Sequence, residues 1–258
     1  EVARGMARAM AAEMHSGFAA LRAQVRGMQA VIHLAALTHP AAGPAPEIFH
    51  INVSGTFNVY EAAAQEGIRR VVSASSINAL GFNFGVEPFE IQYLPLDEAH
   101  PSHTTDVYSL SKRTVEEIAA YYWRRDRISG VQLRLPFVYT ATSGFRAMIK
   151  QFMTASRGAY VEFVKLPEVE QRAIIQQVIA KRDADRAARL SEKPWDQRRP
   201  PSGEMPKMDP LMALIAGYTD FWAIIGAQDA AQAFEKGVLA EYEGSHPLYV
   251  CEDENSLG

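Results

Sequence analysis

The chain has 258 residues, a net charge of −4 and a pI near 6.0, so a nucleic-acid partner is not expected. Its 48% hydrophobic and 22% charged residues are typical of a globular protein with a substantial core, and no apolar run approaches the ~20 residues of a membrane span. The single cysteine, Cys251, cannot form an internal disulfide, and the histidines are scattered. We therefore assign no metal site and expect a reducing, cytoplasmic setting.

The N-terminal third predicts a helix, a strand and a second helix. Residues 1–26 are rich in Ala, Met and Arg, as transit peptides are, but serine is scarce and we favour a helix. The apolar run Ala30–Leu34 predicts a buried parallel strand. Apolar residues at helical spacing then predict a helix over 47–65, with Gly67 as its C-cap.

The middle of the chain continues this alternation. A strand is predicted over 70–74, a long loop over 78–105, and a helix over 106–127 with Asp106 as its N-cap. The next strand, 131–135, is followed by a proline. Strands that alternate with helices in this way are typical of a parallel sheet with helices on both faces, so we predict a doubly wound α/β fold.

The C-terminal part is less regular. Its predicted elements are helices over 143–157 and 167–190, a proline-rich loop over 193–210, a strand over 221–225, a helix over 228–239 and a strand over 247–251. The helix over 167–190 is interpreted as solvated along most of its surface, with a lid or partner-binding helix as the alternative. We therefore divide the chain into a core, 1–140, and a smaller substrate-binding lobe, 141–258, whose segment 220–251 returns to the core.

Three predicted strands end in small or polar residues. Ala35 and Ala36 follow the first strand, Ser75 and Ser76 follow the second, and Pro136 follows the third. Ligands of open α/β sheets bind at the carboxyl ends of the strands. We therefore expect these residues to line one site.

The segment Tyr108-Ser-Leu-Ser-Lys112 opens the helix after that loop. A tyrosine and a lysine four residues apart share one helical face, and the ammonium is expected to lower the pKa of the phenol. Such a phenol can exchange a proton with a substrate hydroxyl or carbonyl, and a nearby serine hydroxyl can hold the same oxygen. The pair alone also arises by chance, so its surroundings decide the interpretation.

With these segments in place, the chain resembles the extended short-chain dehydrogenases/reductases, the NAD-dependent epimerase/dehydratase family. The stretches that carry the resemblance are Val31–Ala36, Asn52–Asn58, Val71–Ser76, Tyr108–Lys112, Val131–Leu135 and Asp229–Phe234. They cover most of residues 28–140 and part of 220–251. The resemblance implies a Rossmann-like fold and hydride transfer with NAD or NADP.

The resemblance also implies roles for individual residues. Tyr108 would be the general acid/base and Lys112 would lower its pKa and bind the nicotinamide ribose. Ser76, ahead of the loop glycine Gly81, would orient the reacting oxygen, and Asn52 would brace the site. The residues implied to line the cofactor are Leu34, Ala35, Ala36, Asn52, Ser75, Tyr108, Lys112, Pro136 and Val138.

The sequence departs from the family pattern in two places. No strand and Gly-rich turn precede Ala30, so the core is expected to lack its N-terminal strand–turn–helix and to bind the dinucleotide pyrophosphate poorly. Phe137 stands where nucleotide-sugar epimerases of the family often have an asparagine that meets the substrate phosphate, which argues against a nucleotide sugar and leaves a free sugar, a sugar acid or another polyol open.

Two functions are weighed from these features. The first is an NAD(P)-dependent epimerase, dehydratase or dehydrogenase that acts on a secondary alcohol of a carbohydrate-like substrate. The alternative is a catalytically weak cofactor-sensing or scaffold protein of the same fold, which the missing turn favours and the retained Ser76, Tyr108 and Lys112 oppose. A small sugar-like partner is expected in either case, and a homodimer is left open.

Overall fold

A computed structural model describes residues 17–140, 154, 157–190 and 223–251. Most of the predicted helix over 143–157 and all of the predicted loop over 193–210 lie outside the described residues, as do residues 1–16 of the first predicted helix.

The main sheet has four parallel strands in the order β1–β2–β3–β6. These strands are β1 Val31–His33, β2 Val71–Ser76, β3 Gly130–Leu135 and β6 Ser245–Tyr249. A second, two-stranded parallel sheet pairs β4 Phe137–Tyr139 with β5 Ile224–Gly226. Since β6 joins the main sheet beside β3, the C-terminal segment adds a strand to the core. The division of the chain into a core and a substrate-binding lobe at residue 140 stays a prediction.

Seven helices are described, together with three short helical turns. The helices are α1 17–25, α2 Ala45–Phe49, α3 Gly55–Gln65, α4 Val107–Asp126, α5 157–165, α6 Glu168–Leu190 and α7 Ala227–Leu239. The turns are 3₁₀ helices at Pro40–Ala42 and Ile77–Leu80 and a π-helical turn at His50–Ser54.

Packing on the two faces of the main sheet confirms the predicted doubly wound architecture. On one face, Tyr60 of α3 and Tyr122 of α4 are fully buried and their rings stack 5.4 Å apart beside Val71. On the other face, Phe234 of α7 packs against Leu133 and its neighbours in the sheet. The sheet is therefore covered by helices on both sides, as a parallel sheet requires.

The helix ends follow their predicted signals. Gly67 has a φ of 73°, and the N–H of Ile68 reaches back to the carbonyl of Ala63 over 2.9 Å, a pattern that only a left-handed residue after the helix allows. At the start of α4, the carboxylate of Asp106 accepts a hydrogen bond from the N–H of Ser109 at 2.9 Å. Both predicted caps are confirmed.

Two predicted boundaries are corrected. Ser75 and Ser76 do not follow β2 but form its last two residues, where they pair with Arg134 and Leu135 of β3. The helix predicted over 47–65 begins at Ala45 and is interrupted by the π-helical turn. In that turn the hydroxyl of Thr56 donates to the carbonyl of Asn52 at 2.5 Å, in competition with the backbone bond of a regular helix.

Candidate active site

Ser76 and Tyr108 meet at the carboxyl edge of the sheet. The Ser76 hydroxyl lies beside the phenol of Tyr108, close enough to lower the pKa of that phenol, and it accepts the N–H of Asn78 at 3.1 Å, which fixes its position. Ser76 ends β2 and Tyr108 lies in the first turn of α4, so two elements 32 positions apart in the chain deliver the two hydroxyls. Both side chains are buried.

Lys112 lies one helical turn beyond Tyr108 on the same face of α4. Its ammonium donates to the carbonyl of Ala74 at 2.8 Å and lies 5.9 Å from the centroid of the Tyr108 ring. The side chain is only 4% exposed, and this burial lowers the pKa of Lys112 to about 8. The site therefore holds a poorly solvated cation beside the phenol.

The expected depression of the phenol pKa is not observed. Burial raises the pKa of Tyr108, and the carboxylate of Asp106 raises it further, while the hydrogen bond from Ser76 opposes both effects. The physical reason is that the Lys112 ammonium points to the Ala74 carbonyl, so the lost solvation of the phenolate dominates. Tyr108 therefore holds its proton at neutral pH.

Replacing Lys112 with methionine is expected to stabilise the fold. Burial lowers the pKa of Lys112 from an ordinary 10.5 to about 8 in the folded state. The charged ammonium therefore lowers the free energy of unfolding by about 3 kcal/mol below pH 8, and this cost disappears as the pH rises towards 10.5. Loss of the bond to Ala74 offsets about 1 kcal/mol of the gain. Urea unfolding near pH 7 should thus show Lys112→Met more stable by about 1–2 kcal/mol, with a smaller difference at alkaline pH.

The matched control is Lys165→Met, because the side chain of Lys165 is 62% exposed. That substitution should change the free energy of unfolding by less than about 0.5 kcal/mol at either pH. A Lys112→Met variant that is less stable than the parent near pH 7 would contradict a costly buried ammonium.

Asn52 braces the site rather than facing it. Its side-chain oxygen accepts the N–H of Leu37 at 2.8 Å, and its amide nitrogen donates to the carbonyl of Leu37 at 3.0 Å and to the hydroxyl of Ser111 at 2.9 Å. Ser111 in turn donates to the carbonyl of Tyr108 at 2.7 Å. Asn52 thereby joins the loop after β1 to the helix that carries Tyr108.

Ser75 has a different position from the one expected. Its hydroxyl donates to the carboxylate of Glu116 at 2.7 Å, on the α4 side of the sheet. Successive side chains of a strand point to opposite faces, which separates Ser75 from Ser76. A cofactor contact at Ser75 would have to come from its backbone.

Glu116 and Arg134 form a buried ion pair that the sequence interpretation missed. The Arg134 Nε and one Nη each donate to Glu116 at 2.9 Å, and the other Nη donates to the carbonyl of Glu98 at 3.2 Å. Both side chains are almost fully buried. The sequence did contain one indication that Glu116 is buried near the site. It follows Lys112 by four residues and therefore lies on the same face of the helix.

His33 also bears on the site, as a neutral strand histidine. Its Nε2 lies 3.0 Å from the hydroxyl of Thr56, and burial, together with the charge of Lys112, lowers the pKa of His33 to about 4.

The remaining residues predicted to line the cofactor follow two strands, β1 and β3. Leu34 and Ala35 are exposed after β1 and Ala36 is half-buried, whereas after β3 Pro136 is buried and Val138 is 39% exposed. Since β1, β2 and β3 are neighbours in that order, their carboxyl ends place these residues on the same edge as Ser76.

A family profile matches residues 15–170, more than half of the chain, and its description is NAD dependent epimerase/dehydratase family. The chain belongs to this family. The predicted resemblance is thereby confirmed, and the expected NAD cofactor is confirmed at the level of the family.

Several curated relatives of the chain are named as sugar dehydrogenases or epimerases. The chain is 32% identical to uronate dehydrogenase of Pseudomonas syringae pv. tomato over 111 residues, which is 43% of this chain and 37% of the relative. It is 31% identical to NAD-dependent glucose-6-phosphate dehydrogenase of Haloferax volcanii over 121 residues, 45% of this chain and 46% of the relative. The chain thus spans less than half the length of these relatives.

Solved structures of the family share the fold. The chain aligns over 91% of its length, and 58% of the other chain, with UDP-N-acetylglucosamine 4-epimerase from Methanobrevibacter ruminantium M1 at a TM-score of 0.55 and 18% identity. MoeE5 in complex with UDP-glucuronic acid and NAD aligns over 91% of this chain and 60% of its own, at a TM-score of 0.53 and 20% identity. These similarities support the Rossmann-like fold.

Among the described residues there is neither a helix that could span a membrane nor a cluster that could hold a metal ion. No described helix is long and apolar enough to cross a membrane. Within the same residues, no cluster of three or more His, Cys, Asp or Glu side chains could hold a metal ion.

Proposed function

We propose that this protein is an NAD-dependent oxidoreductase that transfers hydride at a secondary alcohol of a sugar or sugar-like substrate. The observation that carries the proposal is the placement of the Ser76 hydroxyl beside the Tyr108 phenol, with the buried Lys112 ammonium one turn away at the carboxyl edge of the sheet. A purely structural role would not require two hydroxyls and a costly buried cation at that edge.

Ser76 and Tyr108 are proposed to hold the reacting oxygen of the substrate between their hydroxyl groups. In the reducing direction Tyr108, which keeps its proton at neutral pH, donates that proton to the carbonyl oxygen; in the oxidising direction it takes the proton back. Lys112 stabilises the phenolate that forms in the first case. NAD, when bound, supplies or accepts the hydride.

The residues at the carboxyl edge of the sheet fit the nicotinamide half of NAD. One of the three N–H groups of Lys112 is used by the Ala74 carbonyl, and the others can serve a ribose hydroxyl. Ala35 and Ala36 have small side chains, so a cofactor can approach the backbone there, and Pro136 and Val138 would form the opposite wall. The sequence contains no G-x-G-x-x-G segment, so we assign no pyrophosphate site.

We favour a dehydrogenase of a free sugar or sugar acid over a nucleotide-sugar epimerase. Phe137, which is 45% exposed at the start of β4, puts an apolar ring where a phosphate-binding amide would be expected. The relatives with uronate and sugar substrates point in the same direction.

The deciding experiment assays the protein with NAD or NADP and two groups of substrates. A dehydrogenase converts uronic acids or aldoses and accumulates NADH or NADPH, which is followed by absorbance. An epimerase converts UDP-sugars without net reduction of the cofactor, which is followed by NMR. Cofactor binding without turnover of either group would instead support the sensing or scaffold role, and titration with NADH by fluorescence measures that binding directly.

A further inference from the structure

An apolar cavity of about 310 Å³ opens at the same edge of the sheet as Ser76. Ile77 and Leu80 line it from the 3₁₀ turn that follows Ser76, and Pro136 lines it directly after β3. Leu94 and Leu96 contribute from the loop that leads to α4. The cavity is therefore built on the two strands whose ends form the candidate active site.

The charged group in the lining is already used within the protein, and the Tyr249 hydroxyl is a buried polar atom of the lining without a hydrogen-bond partner among the described residues. The guanidinium of Arg134 donates to Glu116 and to the carbonyl of Glu98, and its carbon lies 5.1 Å from the centroid of the Tyr249 ring. A sugar ring needs partners for several hydroxyl groups, and an unpaired hydroxyl in an apolar site is costly. Most of this lining is aliphatic or aromatic, and the one unpartnered side-chain hydroxyl among its described residues, that of Tyr249, cannot serve several sugar hydroxyls.

The size of the cavity sets the size of its occupant. An apolar cavity of about 150 Å³ binds benzene. A cavity of about 310 Å³ can therefore hold a group about twice the size of benzene. A two-ring aromatic group or a medium-length alkyl chain fills such a space.

We infer that the substrate of this site carries an apolar substituent, and that this cavity binds the substituent while the alcohol lies at Ser76 and Tyr108. The inference rests on the proposed function and narrows its substrate class to a sugar-like alcohol with an aryl or alkyl group. Affinity then comes mainly from the apolar part, because each buried methylene tightens binding roughly fourfold.

The first test measures binding and needs no turnover. N-phenyl-1-naphthylamine is the fluorescent probe, and hexyl and methyl β-glucoside compete with it. If only two of the additional methylenes of the hexyl chain enter the cavity, hexyl β-glucoside should displace the probe at a concentration at least about tenfold lower. Equal displacement by the two glucosides, or no saturable probe binding, would overturn the inference.

Cys251 provides an independent readout of the same event. It lines the cavity, is exposed and is the only cysteine in the sequence, so its reaction with a thiol reagent reports on this location alone. Bound probe should slow the modification of Cys251. A rate that does not change at saturating probe would place the probe elsewhere and would contradict the inference.

Two variants and a matched control assign the binding to the cavity. Ala223→Trp fills the space, and Leu94→Asp places a charge at its mouth; each should weaken probe binding at least about fivefold. The control is Leu239→Asp, because Leu239 at the end of α7 has the same 72% exposure as Leu94 and does not line the cavity. Equal weakening by Leu94→Asp and Leu239→Asp would overturn the assignment.

The inference and the proposed function fail separately. Turnover of simple sugars with NAD, without probe binding, would remove the apolar subsite and leave the oxidoreductase. The opposite result is also informative. If Ala223→Trp weakens probe binding but the protein transfers hydride to or from none of the tested alcohols, the apolar binding site stands and the reaction proposed at Tyr108 is wrong.

Discussion

Replacing Tyr108 with phenylalanine should reduce kcat by about 10²- to 10⁴-fold, the usual contribution of a positioned acid/base group. The phenol oxygen is the proposed proton donor, and its position beside the Ser76 hydroxyl would let the two groups hold one substrate oxygen. The ring would stay in place, because its packing against Phe84 needs no hydroxyl. Steady-state rates with a substrate identified by the assays above provide the measurement.

The matched control for this variant is Tyr121→Phe. Tyr121 lies on the same helix, is 40% exposed and is not part of the site, so its rate should equal that of the parent within a factor of about two. The proton-transfer role of Tyr108 is wrong if Tyr108→Phe keeps kcat within about threefold of an active parent.

Glu116→Ala should destabilise the fold by about 3–5 kcal/mol, the largest effect on stability that we expect. The substitution leaves the guanidinium of Arg134, which is 1% exposed, buried without its carboxylate. It also removes the partner of the Ser75 hydroxyl. Urea unfolding of the parent and the variant measures the difference in the free energy of unfolding.

The adjacent residue supplies the control for this prediction. Glu117 also pairs with an arginine, Arg113 at 2.7 Å, but its side chain is 57% exposed, so Glu117→Ala should cost less than about 1 kcal/mol. Replacing Glu116 and Arg134 together with leucine should recover much of the lost stability, since no unpaired charge is left inside. A Glu116→Ala variant as stable as Glu117→Ala would show that the buried pair contributes nothing.

The fold was predictable because its signals are local. The alternation of β-branched runs with helical periodicity indicated the doubly wound sheet, and Asp106 and Gly67 marked helix ends that the structure confirms. The motif containing Tyr108 and Lys112 indicated the side of the sheet on which chemistry is proposed. These features depend on residues close together in sequence, so a single chain displays them.

The errors concern interactions between distant segments. The pKa of Tyr108 depends on how deeply α4 buries the phenol, and the direction of the Lys112 ammonium depends on the Ala74 carbonyl, which no spacing reveals. The bond between Ser75 and Glu116 joins residues 41 positions apart. The apolar cavity likewise combines segments from five parts of the chain, so it could not be read from any one of them.

The double hydrogen bond between Asn52 and Leu37 has a consequence for exchange with solvent. Leu37 lies in a loop, where amide protons normally exchange quickly, yet its N–H is held by a side chain that is 1% exposed. Asn52 is also bound to Ser111 on α4, so the residue that holds this loop is itself anchored to the helix of Tyr108. The Leu37 amide should therefore exchange with deuterium at least about a hundredfold more slowly than that of Thr38, which makes one loop amide a spectroscopic reporter of the anchor beside the site.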